Sequence, residues 1–238
     1  LGSQVINWGE ATFTAGINGL QNRADLIARN TPGVEVKEIL LPTGALYGQL
    51  DLMSDVTFEA YYQYEWKETE LNGVGSYFSD RDFLGPGAVN FLIPLGSPDN
   101  LRAIPRTADE AASDSGQWGA ALHWIVLGDT DIGLYYINAH SKAPAYQINY
   151  GAGGIFPESY RIRYFEDIQG YAASFTTVIV DTNIQGEVSY KTDVPVVLLS
   201  GDPVDGDLAS YQLGGAYIFE PTPLWDDANL TFELAGAY

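Results

Sequence analysis

Between Val56 and Trp66 the sequence VTFEAYYQYEW alternates without a break. Val56, Phe58, Ala60, Tyr62, Tyr64 and Trp66 fall on one side, and Thr57, Glu59, Tyr61, Gln63 and Glu65 on the other. Successive side chains of an extended chain point to opposite faces, so the pattern fits a strand with one apolar and one wet face. The polar break Met53–Asp55 just before it marks a tight turn. Eleven residues reach roughly 36 Å, enough to cross a bilayer core when tilted. The apolar face ends in Tyr and Trp, the residues that sit at headgroup level. The stretch predicts a transmembrane β-strand that enters the membrane at a turn.

The remainder of the chain repeats this plan. Strands are expected at 4–8, at 34–52 with a break at Pro42, and at 118–127. Others are expected at 132–140, 159–180, 184–190, 211–219 and 230–238. A short helix is expected within 20–30, where Asp25 and Arg29 stand four apart. The connections at 53–55, 128–131, 181–183 and 220–229 are short, whereas 9–33, 67–117, 141–158 and 191–210 are long. Short turns at one end and long loops at the other are the layout of a bacterial outer-membrane barrel. A soluble sandwich gives no reason for that segregation. The expected fold is therefore an all-β, antiparallel transmembrane β-barrel occupying 1–238 as a single domain. Nine strands, an odd number whose last member runs outward, suggest a portion of a larger barrel.

Composition narrows the function. Eleven basic against thirty-one acidic residues give a net charge of −20, which argues against nucleic acid and against docking on anionic lipid through a basic face. Cysteine is absent, so thiol catalysis, thiolate metal sites and disulfides are excluded. No apolar run is long enough for a transmembrane helix.

No catalytic constellation emerges. His123 falls on an inward strand face without a nucleophile motif beside it. Asp202, Asp205 and Asp207 in GDPVDGD are a weak calcium candidate whose spacing differs from an EF-hand loop. Asp80 and Asp82 flank Arg81 in a similar acidic turn, and Gly151–Gly154 lacks the ending of a phosphate loop. Glu59 and Glu65 are about 20 Å apart along one strand, too far to act as a carboxylate pair. The polar strand faces instead predict a lumen lining: Glu59, Tyr61, Gln63, Glu65, His123, Tyr135, Gln185, Glu187 and Glu233, with Lys37, Arg161 and Arg163 supplying positive charge. Such a lining implies a hydrated interior that favours cations, while Tyr61, Tyr135 and Ile137 offer an apolar path.

Several stretches read together resemble a known family. They are SQVINWGEATF, PGVEVKEILLP, TFEAYYQYEW, YFSDRDFLGPG, YFEDIQGYAASFTT and IQGEVSYKTDVPV. The family is a proteobacterial envelope group known only as a domain of unknown function, number 1302. The resemblance covers much of Leu1 to about Val197 and implies an outer-membrane β-barrel. Family members commonly occur beside an inner-membrane permease of the resistance-nodulation-division type and a periplasmic protein of lipoprotein-carrier shape. The resemblance thus implies passage of hydrophobic small molecules or lipids, with those two proteins as partners and outer-membrane lipid as surroundings. It implies neither a cofactor nor catalytic residues, and members are longer and begin with a signal peptide. The alternatives are a general cation-preferring diffusion porin and a non-conducting outer-membrane surface or assembly protein.

Overall fold

The computed structural model describes residues 1–79, 81–94, 97, 99–151, 153–154, 156–197 and 203–238. In chain order the elements begin with β1 (Gly2–Gln4), the one-turn helix α1 (Asn18–Gln21), β2 (Arg23–Ala24) and β3 (Leu40–Leu41). There follow β4 (Thr43–Met53), β5 (Val56–Gln63), β6 (Asn90–Pro94), β7 (Leu101–Pro105), β8 (Gln117–Val126) and β9 (Thr130–Ala139). The chain continues through β10 (Ala145–Tyr150), β11 (Pro157–Arg163), β12 (Ile168–Ile179), β13 (Thr182–Val197), β14 (Pro203–Phe219) and β15 (Ala228–Ala237).

Nine strands form one antiparallel sheet in the order β1-β4-β5-β8-β9-β12-β13-β14-β15. The expectation of an all-β, antiparallel architecture holds. The sheet is open: among the described residues β15 pairs only with β14, and β1 covers β4 only from Thr43 to Ala45. The tight turn between β12 and β13 places Val180 and Asp181 both at positive φ (46° and 62°). That backbone twist matches the twist of the flanking strands, as in a type I′ hairpin.

Several sequence expectations are corrected. The strand expected at 4–8 is Gly2–Gln4, after which the chain leaves the sheet. The helix expected within 20–30 shrinks to α1 and a 3-10 turn at Ala28–Asn30, because the Asn22 side chain bonds the Ile6 backbone and Asp25 caps Ile27 and Ala28. The strand expected from Val34 begins only at Leu40: Glu35 and Glu38 form a capping box that turns Val36–Glu38 into a 3-10 helix. The strand expected at 159–180 is two strands in different sheets, split at Tyr164–Asp167, where Asp167 has φ 57°. The loop expected at 191–210 is largely strand, since β13 and β14 run on to Val197 and from Pro203.

The long connections at the Gln63 end of the sheet fold into a cap. The hairpins β6–β7 and β10–β11 lie in it and share an apolar core of Leu84, Ile104, Tyr160, Ile162 and Tyr164. Phe83 stacks on Phe91 at 4.0 Å, and both meet Tyr160 edge-on. A separate core lies on the inner face of the large sheet, around Trp8, Ile17, Tyr61, Tyr135 and Ile137.

The large sheet is inside out. Its polar face is covered: Gln63, Gln117, Glu187, Lys191 and Gln212 are buried. Its apolar face is bare: Leu50 is 60 % exposed, Leu134 52 % and Leu234 63 %. Along that outer face Tyr136, Tyr171 and Tyr190 stand in register on adjacent strands. Trp118 extends the row, its ring 5.1 Å from Tyr136.

Two separate cores predict separable stability. Ile104→Ala empties a fully buried site in the cap and should cost about 2–5 kcal/mol. Limited proteolysis of this variant should then cut within 64–116 or 140–167 while β12–β15 stay intact.

Candidate functional site

The inner face of the sheet carries most of the polar residues picked out from the sequence, and a loop is seated on them. Residues 5–22 leave β1, cross the sheet to β15 and return. The stem is closed by side chains: Asn22 Nδ2 donates to Ile6 O (2.6 Å), Ile6 N donates to Asn22 Oδ1 (3.3 Å), and Trp8 N donates to Gln21 Oε1 (3.0 Å). Such a compact loop with adjoining ends is an Ω-loop.

Three inner-face carboxylates each hold a defined part of it. Glu59 on β5 accepts from the Trp8 indole Nε1 at 2.7 Å. Glu187 on β13 accepts from Ile17 N at 2.7 Å and from Glu10 N at 3.0 Å. Glu233 on β15 accepts from three successive amides, Thr12, Phe13 and Thr14, at 2.7, 3.1 and 2.8 Å. Gln185 donates to Glu10 O and Thr12 Oγ1, and Lys191 Nζ donates to Gly16 O at 2.8 Å. A loop without regular structure has unpaired backbone groups, and the sheet's side chains supply their partners.

The apolar contacts lie under the stem. The Trp8 ring sits 5.0 Å from Tyr61 and 6.0 Å from Tyr135. Two glycines make the approach possible. A Cβ on Gly119 would press on Tyr61 and Trp8, and one on Gly170 on Leu20 and Ile17. Ile137, also expected to line an apolar path, is fully buried in this core. Beside Trp8 a cavity of about 350 Å³ remains, lined by Glu10, Tyr47, Glu59, His123 and Tyr135.

Of the expected lining, Glu59, Tyr61, Gln63, His123, Tyr135, Gln185, Glu187 and Glu233 lie in strands of the large sheet. Four positions are corrected. Lys37 lies in the 3-10 turn and pairs with Glu35 at 2.7 Å, because the capping box displaced the expected strand. Arg161 and Arg163 lie on β11 in the cap, where Glu110 pairs with both (2.9 and 3.5 Å). Glu65 lies past the end of β5, where it accepts from Gly44 N and pairs with Lys67 at 2.6 Å. Lys67 and that amide hold the Glu65 carboxyl below its ordinary range.

His123 Nδ1 lies 3.3 Å from Asp131 Oδ2, and no hydroxyl is hydrogen-bonded to its ring among the described residues. The other histidine is structural: His140 Nδ1 accepts from Asp167 N, so Nε2 donates to Ser115 O at 2.7 Å. Asp202 lies outside the described residues. Asp205 and Asp207 stand on β14, and Asp207 accepts from the Tyr190 hydroxyl. Asp80 also lies outside the described residues, while Asp82 accepts from Ser79 Oγ and Gly75 N. Among the described residues no group of three or more His, Cys, Asp or Glu is placed to hold a metal ion.

Sequence reading missed Trp8, Glu10 and Lys142. Lys142, just after β9, is buried and directs its Nζ at Leu20 O, Gln117 Oε1 and His140 O (2.8, 3.0 and 3.3 Å). Burial pushes its pKa down to about 7, while the three oxygens use all three donors of the ammonium form. It ties the returning arm of the loop to β8. Glu10 is pushed up to about 7, chiefly by burial and then by Asp131 and Glu187.

Against known families, a model described as "Protein of unknown function (DUF1302)" matches residues 1–238. No curated protein matches.

Two predictions follow from the seating of the loop. Glu187→Ala leaves two amides without an acceptor and should destabilise by about 3 kcal/mol, read as the denaturant midpoint. Glu233→Ala, whose amides reach water, should cost less. For Glu10 the folded-state pKa lies above its ordinary value of 4.5. Its contribution is therefore full below pH 4.5 and is lost as pH rises through about 7. Glu10→Gln should accordingly gain on the wild type across that interval and keep a constant lead above it.

Proposed function

The chain belongs to the DUF1302 family of proteins of unknown function, and from that premise we propose that it forms the wall of a bacterial outer-membrane β-barrel that passes hydrophobic small molecules or lipids. One observation carries the reading: the large sheet buries its polar face and bares its apolar one. In water the hydrophobic effect drives the opposite arrangement, whereas hydrocarbon favours this one. The tyrosine row on the outer face suits an interfacial girdle, and the tight turns β4–β5, β8–β9 and β12–β13 lie opposite the long connections β5–β8 and β9–β12. The open edges of β4 and β15 are the places where further strands would complete a barrel.

The seated Ω-loop bears on the kind of passage. It covers Tyr61, Tyr135 and Ile137 and takes up the acceptor oxygens of Glu59, Glu187 and Glu233. A wide hydrated pore with a bare acidic lining is therefore the less supported reading. A passage gated by this loop accounts for the same residues without requiring catalysis or a cofactor. Delivery would involve a periplasmic carrier and an inner-membrane permease, partners that the family resemblance suggests. The cap, with its own core, also suits a non-conducting surface protein.

Gel mobility decides first. Protein from native membranes should run as a compact band in detergent-denaturant and shift on boiling. Recovery in the soluble fraction would overturn the membrane reading. Deletion of residues 9–16 should raise small-ion conductance in planar bilayers by an order of magnitude or more, with cations preferred. High conductance in the intact protein would favour the diffusion pore. Unchanged flux of an apolar dye in vesicles after adding the protein would favour the surface role.

A further inference from the structure

A second site lies in the cap, above the stem of the Ω-loop. A cleft of about 740 Å³ opens between Arg23 on β2, the chain leaving β5 at 66–71, Leu84, Pro86, Arg106 and Tyr164. Its size is that of a small-molecule pocket. Two features set it apart from the rest of the surface.

The first is a set of unused arginine donors. Three of the chain's eleven basic residues, Arg23, Lys67 and Arg106, line it, against two of the thirty-one acidic ones, Glu68 and Glu70. The acids are already engaged: Glu70 pairs with Arg23 Nη1 at 3.0 Å, and Glu68 accepts from the Tyr164 hydroxyl at 2.7 Å. The arginines keep donors in hand. Arg23 makes that single hydrogen bond among the described residues, and its Nε is buried without a partner. Arg106 gives two donors to Asp109, while its Nη1 reaches Gly85 O only at 3.5 Å. Lys67 is likewise paired, with Glu65 at 2.6 Å, so the charges of the recess are compensated and what remains for a ligand is the unused guanidinium donors.

The second is the wall opposite. Trp66 and Tyr164 pack edge to face at 4.7 Å. Their polar ends are satisfied elsewhere, the indole Nε1 on Ser141 O and the phenol on Glu68. What they leave to the cleft is ring surface, continued by Leu71, Leu84 and Pro86. Apolar walls with a few convergent donors are the composition of a site that orients an amphiphile.

We propose that this cleft binds an amphiphilic carboxylate, its acidic head on Arg23 and Arg106 and its apolar body along Trp66, Leu71 and Leu84. As the entry station of a transported solute, the site rests on the transport reading; binding itself does not. Arg23 directly follows Asn22, which closes the loop's stem, so the bound head group would sit where the loop leaves the sheet.

Decanoate and decanol separate the contributions of head and body. Both are titrated calorimetrically into the full-length protein in lipid nanodiscs, with empty nanodiscs subtracted. Decanoate should bind saturably, and decanol at least about tenfold more weakly, the loss of one charge-assisted hydrogen bond. The double variant Arg23→Gln, Glu70→Gln leaves no carboxylate stranded and should weaken decanoate about tenfold while leaving decanol unchanged. Lys67→Gln changes a half-exposed side chain that does not test folding, and should weaken decanoate a few-fold. Equal binding of both probes, absence of saturable decanoate binding, or insensitivity to both variants would overturn the proposal. Uptake of labelled decanoate by cells lacking the protein is measured in parallel. Normal uptake with intact cleft binding would fail the transport reading alone; reduced uptake without cleft binding would fail the cleft alone.

Discussion

The far part of the loop on the inner face depends on carboxylates accepting backbone amides. Glu187 and Glu233 together take five N–H groups of a loop that has no ladder of its own. Charged acceptors make stronger hydrogen bonds than neutral ones, the more so away from water. Without them the loop would carry unpaired amides onto a buried surface, and the polar face of the sheet would be left bare. With them, a segment rich in Gly, Thr and Asn becomes the lid of a core containing Trp8, Tyr61 and Tyr135. The negative charge that composition announced is thus used locally, as a set of backbone acceptors.

The same arrangement explains how one sheet can have opposite solvents on its two faces. The inner face pairs most of its polar groups with polar groups, Tyr61 Oη and Gln63 Oε1 being buried without a partner, so most of its burial cost is offset. The outer face is mainly apolar, with tyrosine hydroxyls as its chief polar groups, and its side chains pack only along the face, as Trp118, Tyr136 and Tyr171 do ring to ring. The cap closes one end of the sheet with a core of its own, so the molecule has two separate apolar interiors and one apolar exterior.

The strands were legible because alternation is a local signal. Val56–Gln63 and Ala228–Ala237 could be read from a few residues each. The faces followed, and with them eight of the expected inner-face residues. Alternation could not say which sheet a strand joins. Ser159 to Ile179 alternates almost throughout, yet the break at Tyr164–Asp167 sends Arg161 and Arg163 into the cap. Nor could it tell a strand from a capped turn at Glu35–Glu38, where side-chain hydrogen bonds decide. The role of residues 5–22 was out of reach for a different reason. Their partners are backbone amides, which every sequence has, and the residues that receive them lie far along the chain.

That distance has a consequence in time. Thr12 and Thr14 are fixed by a residue 219–221 positions later, and Glu10 by one 177 later. Contacts of such sequence separation can form only after the intervening chain has been brought together. Residues 10–14 are made before the strands that hold them and are therefore fixed late. Until β15 is laid down the loop has no terminus to its path, and the inner face stays open while the sheet grows strand by strand. Assembly and sealing are thereby ordered by topology alone.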